Sequence, residues 1–279
     1  MWFRAATLGV AQGLSEFIPI SSSAHLVLVP FLLRWEVPDL AFDVSVHLGT
    51  ALAVIVYFAR DLWGILSGTV RWVAGRRTDQ TRAEARLLGL LAIGSVPAAI
   101  AGFLLQGLFE DLFASTEGVD DAGAPITALT LLGTAGLLLL AERIYARRGE
   151  EGRGVREMTA VDAIVVGAFQ ALAILPGISR SGSTISAGIF RGMAREAAAR
   201  FSFLLSLPAI AGAALVALID VPPGVEVGPM VAGAVAAAVS GFAAIAFLLR
   251  YLRTRTMRPF AVYCAALAVI TLAFWSQIR

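Results

Sequence analysis

Two short polar runs interrupt otherwise apolar sequence, and both are rich in groups that handle phosphate. The first is Gln12-Gly13-Leu14-Ser15-Glu16-Phe17-Ile18-Pro19-Ile20-Ser21-Ser22-Ser23-Ala24-His25, and the second is Pro176-Gly177-Ile178-Ser179-Arg180-Ser181-Gly182-Ser183-Thr184. Carboxylates, imidazoles and guanidiniums are costly inside hydrocarbon, so their presence there marks a working site. Arg180 can fork onto phosphate oxygens, with Ser179, Ser181, Ser183, Thr184 and the turn amides as further donors. A helix beginning near Ser183 would point its positive end at the same anion. In the first run, Ser21, Ser22 and Ser23 follow Pro19. One of them suffices to cap a helix, which leaves a hydroxyl able to attack phosphorus once a base takes its proton.

His25 lies one helical turn after Ser22 and is a candidate base, or an acid to the leaving group. Gln12 and Glu16, spaced i,i+4, share a helix face. Together they offer oxygens to a hard divalent ion; alternatively Glu16 orients His25 or a water, or pairs structurally with Arg180. Asp43 and His47 form a second i,i+4 pair as accessory candidates, His47 reading more readily as a packing residue. Ser202 and Ser206, one turn apart, read as cavity-lining or helix-packing residues.

The elements that must carry these runs are membrane helices. Of the 279 residues, 58% are hydrophobic and 15% charged, and the mean hydropathy is +0.80. A soluble domain is nearer a quarter charged. The net charge of +2 is spread over loops and implies no nucleic-acid partner, and the single Cys264 precludes an intrachain disulfide. Glu16 would interrupt the apolar core of a signal peptide, so the N-terminus reads as mature sequence.

Six stretches are long enough to span a bilayer: about 41–73, 87–108, 125–146, 198–219, 229–252 and 259–278. Two others, about 3–33 and 159–192, are broken in the middle by Pro, Gly and Ser, with arms nearer 12–15 residues. They read as re-entrant helical hairpins, whose irregular tips must be surrounded by protein. At a constant offset of 158, Gly9, Gln12, Leu14, Ile20, Ser21 and Ser23 match Gly167, Gln170, Leu172, Ile178, Ser179 and Ser181. The chain therefore reads as one integral membrane domain, 1–279, with internal repeats near 1–146 and 147–279.

Arginines crowd three loops, around 71–86, 143–156 and 250–258, whereas the alternate loops carry Glu110, Asp111, Glu117, Asp120 and Asp121, then Asp220 and Glu226. Basic loops stay cytoplasmic. The second hairpin then enters from the cytoplasm and the first from outside, an inverted pair whose tips meet near the midplane.

The motifs resemble those of the undecaprenyl-pyrophosphate phosphatases, also called the bacitracin-resistance proteins. The resemblance covers essentially the whole chain, and includes Phe42-Asp43-Val44-Ser45-Val46-His47-Leu48-Gly49 and Phe201-Ser202-Phe203-Leu204-Leu205. It implies a plasma-membrane hydrolase that removes the terminal phosphate of undecaprenyl diphosphate, regenerating the monophosphate carrier for peptidoglycan and other wall polymers. It also implies a site opening to the outer face, a divalent cation (Mg²⁺ or Ca²⁺), and a functional set of Glu16, Ser22, His25 and Arg180. Ser21 competes as nucleophile, and a homodimer is left open. Two positions depart from the family pattern: Gln12 stands where Glu is frequent, and Cys264 where Arg frequently follows the Phe-x-x-Tyr of the last span. The rival class is a prenyl-phosphate flippase or secondary transporter, which shares the architecture but has no use for an attacking hydroxyl.

Overall fold

The computed structural model describes residues 1–35, 39–114, 123–149, 151–217 and 226–278. The loops holding Glu117, Asp120, Asp121 and Asp220, and the side chains of Glu110 and Asp111, lie outside the described residues. The described residues form an all-helical fold: α1 (Trp2–Phe17), α2 (Ser22–Leu33), α3 (Leu40–Tyr57), α4 (Ala59–Val73), α5 (Asp79–Ala114), α6 (Gly123–Arg147), α7 (Ala160–Ala171), α8 (Arg180–Phe190), α9 (Arg195–Ala217), α10 (Val227–Leu252) and α11 (Arg258–Ile278). Six of them, α3, α5, α6, α9, α10 and α11, are long and apolar enough to cross a membrane.

The expected span over 41–73 is a correction. The structure breaks it at Phe58 into α3 and α4. A single helix of that length would exceed a hydrocarbon core of about 30 Å, and Arg60 and Asp61 end the apolar run. The α4 helix buries Ile65 and Gly68 towards α5 while Trp63, Leu66, Val70 and Val73 remain exposed. That amphipathic pattern suits the membrane interface rather than its centre.

Two helix pairs differ from the spans. Their arms, α1 and α2, then α7 and α8, have 16, 12, 12 and 11 residues. At about 1.5 Å per residue the three shorter arms reach less than 20 Å. Each pair is wedged against a long helix from the other half of the chain, α1 on α10 and α7 on α5. Glycine permits both approaches: a Cβ on Gly9 would lie 2.2 Å from the Gly233 carbonyl oxygen, and one on Gly167 would lie 2.1 Å from that of Gly94.

The base of the second pair is tied down by charge. Thr159 and Asp162 form a capping box at α7. Asp162 also holds Arg191 at 2.7 Å and Arg153 at 3.0 Å. Burial alone would raise the Asp162 pKa, but the Thr159 amide and the two guanidiniums hold it well below the usual carboxylate range. A second buried ion pair, Arg195 forked onto Glu142 at 2.9 and 2.7 Å, joins α9 to α6, and the Met257 amide donates to the same carboxylate. Core packing between these elements is aromatic and aliphatic, with Phe17 edge-on to Phe203 at 5.2 Å beside the polar runs.

Candidate active site

The turns joining the two helix pairs come together. Ser21 caps α2 by accepting the Ala24 amide, and Ser179 caps α8 by accepting that of Gly182. Each capping hydroxyl also meets the serine two residues on, Ser21 with Ser23 at 3.1 Å and Ser179 with Ser181 at 3.2 Å. The Ser23 hydroxyl accepts the Gly177 amide across the gap. Helix α8 begins at Arg180, not near Ser183 as expected from sequence, because Ser179 supplies the cap. From α6, Thr134 accepts the Ser179 amide, and Thr130 donates to the Pro176 carbonyl, fixing the second turn.

Glu16 is the hub. One carboxylate oxygen accepts from Arg180 Nη2 at 2.6 Å; the other accepts from the Ser22 hydroxyl at 2.6 Å and from Gln12 Nε2 at 3.0 Å. His47 Nε2 stands 3.9 Å from that second oxygen. His47 Nδ1 bonds the Asp43 carbonyl oxygen, so the i,i+4 pairing runs through the Asp43 backbone rather than its carboxylate. Arg180 spends a second N–H on the Ser202 carbonyl oxygen. Two of its five donors are thus used on these partners, which leaves a fork for an anion.

His25 takes a different place. Its Nδ1 lies 2.7 Å from the Ser21 carbonyl oxygen, which can only accept, so that nitrogen carries the proton in the neutral ring. Its Nε2 then accepts from the Tyr263 hydroxyl at 2.7 Å, with the rings stacked. The Ser22 hydroxyl is paired with Glu16 and not with His25. Spacing within the first run does not point to Tyr263; the signal for it is a phenol in an apolar span, whose hydroxyl seeks a partner. Cys264 lies beside it and donates its thiol to the Pro19 carbonyl oxygen at 3.7 Å, so it packs against the first turn.

Thr184 is drawn away from the centre, bonding the Arg180 carbonyl and the Ser202 hydroxyl. Ser183 is buried, and its hydroxyl has no partner among the described residues. For a divalent ion, the donors on offer would be Glu16 and Gln12 Oε1, a buried oxygen also without a partner among the described residues. Among the described residues, no cluster of three or more His, Cys, Asp or Glu side chains is arranged to hold a metal. Two hard oxygens fit an ion that takes its remaining ligands from phosphate and water, the habit of Mg²⁺.

Residues 5–270 match the family described as Bacitracin resistance protein BacA. An undecaprenyl-diphosphatase of Thermomicrobium roseum is 46% identical, with 99% of each chain covered. That of Moorella thermoacetica is 44% identical over 98% of this chain and 97% of its own. That of Hahella chejuensis is 40% identical over 94% of each. With the family match running through both polar turns and five long apolar helices and into the sixth, this chain belongs to the bacitracin resistance protein BacA family.

Proposed function

We infer that this chain is an undecaprenyl-diphosphatase, a multi-pass membrane hydrolase that removes the terminal phosphate of the lipid diphosphate and leaves the lipid monophosphate. The observation that carries the reading is the Glu16 carboxylate standing between the Ser22 hydroxyl and the Arg180 guanidinium, 2.6 Å from each. That is a nucleophile, a base and an anion clamp in one contact network.

In the mechanism we propose, Arg180 and the amides of the second turn hold the diphosphate. Ser22 Oγ gives its proton to Glu16 and forms a bond to the terminal phosphorus. The bond from that phosphorus to the bridging oxygen breaks, and Glu16 passes its proton to that oxygen as the lipid monophosphate leaves. Water then attacks the phosphoserine, giving a proton to the freed Glu16 carboxylate; the bond from phosphorus to Ser22 Oγ breaks, Oγ takes that proton back from Glu16, and inorganic phosphate departs with the Ser22 hydroxyl restored. Ser21, in a backbone conformation with φ of +70°, is fixed as the cap and is the weaker candidate nucleophile. His25 and Tyr263 act as a unit, the neutral imidazole holding the phenol hydroxyl at the site's edge, where Tyr263 is 44% exposed. Glu16 and Gln12 would hold the divalent ion, Mg²⁺ or Ca²⁺. When bound, the ion would neutralise charge on the phosphate oxygens.

The two helix pairs are re-entrant hairpins of an inverted repeat, a reading supported by short arms, matching caps and reciprocal packing on α10 and α5. With the arginine-rich loops cytoplasmic, the site lies at the tips and opens towards the outer face of the plasma membrane.

The test is phosphate release from a long-chain prenyl diphosphate by purified wild type, Ser22→Ala and Arg180→Ala, with Mg²⁺ and with chelator. Metal-dependent release that Arg180→Ala abolishes supports the phosphatase reading. Residual turnover well above background in Ser22→Ala replaces serine attack with direct attack by water. No release by folded wild type overturns the enzyme reading in favour of a lipid carrier.

A further inference from the structure

A cleft of about 380 Å³ lies where α9 and α10 meet the end of α3 at the arginine-rich face. Arg200, Arg250 and Arg253 line it with Glu196, Tyr57 and Leu249. Arg200 is held by Asp61 at 2.6 Å and Arg253 by Glu196 at 2.9 Å. Arg250 makes no ion pair among the described residues. Three guanidiniums thus face two carboxylates, and the surplus is one positive charge.

The cleft continues into an apolar stripe. Val235, Val239, Phe242, Ala246 and Arg250 recur at helical spacing on one face of α10. Val235, Val239 and Phe242 are exposed, and Tyr57 packs edge-on to Phe242 at 5.4 Å. From Val235 to Arg250 the stripe is about 22 Å long, enough to cover one leaflet of a core about 30 Å thick. Tyr57 and Tyr251 mark the interfacial level at which a headgroup sits.

We propose that this cleft binds the phosphodiester of an anionic phospholipid of the arginine-rich leaflet, with its acyl chains laid along the outer stripe of α10. One unopposed guanidinium matches the single negative charge of a phosphodiester, and the stripe matches its tails. Its lining shares no residue with the Glu16 contacts, and the proposal does not depend on the phosphatase reading.

The experiment is native mass spectrometry of the full chain released from mixed phosphatidylglycerol and phosphatidylcholine micelles. Wild type is compared with Arg250→Gln, with Arg253→Gln, and with Arg71→Gln on the exposed side of α4 as a control for general surface charge. Unfolding midpoints in phosphatidylcholine verify that each variant is folded, and a parallel titration with inorganic phosphate separates a free anion from a lipid. Wild type retaining phosphatidylglycerol over phosphatidylcholine, with roughly fivefold weaker retention in Arg250→Gln and no change in Arg71→Gln, supports the proposal. Equal retention of the two lipids overturns it, as does an equal loss in Arg71→Gln. Displacement of the lipid by millimolar phosphate also overturns it, making the cleft a site for the free anion.

Discussion

The two polar turns share a skeleton and divide the chemistry. In both, a serine caps the following helix by accepting the amide three residues on and touches the serine two residues on. In both, a glycine twelve residues before the cap allows backbone contact with a long helix. At the offset of 158, however, Glu16 corresponds to Ile174, Ser22 to Arg180 and His25 to Ser183. The first turn holds the acid and the hydroxyl, and the second holds the cation. The backbones differ too: Ser21 sits at φ +70° and Ser179 at −70°. A non-glycine residue in that region costs on the order of 1–3 kcal/mol and persists only where its surroundings enforce it. The strained turn is the one that presents Ser22. Two turns of matching build thus differ in the groups they present, and in the proposed mechanism the first reacts while the second binds.

That division is broken most severely at its single ionic bridge. Arg180→Ala should reduce phosphate release by about 10³-fold or more and destabilise the fold, because Glu16 is left buried without its partner. The double variant Glu16→Gln with Arg180→Met should recover thermal stability but not activity. Stability restored together with turnover would show the pair to be structural only. Ser22→Ala should cost about 10²–10⁴-fold in kcat, and Ser21→Ala clearly less; a reversed order would assign the attack to Ser21.

The shared skeleton is tested by Gly9→Ala and Gly167→Ala, each expected to lower stability by about 1–3 kcal/mol in thermal unfolding. A large effect at only one would deny their equivalence. Tyr263→Phe removes a hydroxyl from the first turn's side alone. It should lower kcat by about fivefold to tenfold, the worth of one hydrogen bond of about 1 kcal/mol, with KM unchanged.

The smallest effect concerns the base of the second pair. Because the Asp162 pKa is depressed in the folded state, its stabilisation is complete above the unfolded carboxylate value near about 4. It is lost only as pH falls through the lower folded value. The gap in unfolding temperature between wild type and Asp162→Asn should therefore stay level from neutral pH to about pH 5 and narrow only below about pH 4. A gap that closes by pH 5 would mean the guanidiniums of Arg153 and Arg191 do not act on it.

Much of this was legible in the chain. Hydrophobic runs identify spans because hydrocarbon tolerates little else, and the six long apolar helices lie where those runs are. The two interrupted stretches announced themselves through Pro, Gly and Ser, and Arg180 and Glu16 through the cost of burying charge. The break at Phe58 was less legible, since apolar content continues into α4 and only its periodicity changes. So was the start of α8, where either Ser179 or a later residue could have served as cap.

What the sequence by itself determined was the membrane class, the six spans, the two polar turns and the residue types available for phosphate chemistry. Partner choice was decided only by the tertiary structure. Ser22 turns to Glu16 rather than His25, His25 turns to Tyr263 from a helix 238 positions away, and His47 comes within 3.9 Å of Glu16. Spacing along one helix predicts which side chains share a face. It carries no information about the groups that a distant helix brings to that face, because those positions follow from the packing of the whole bundle.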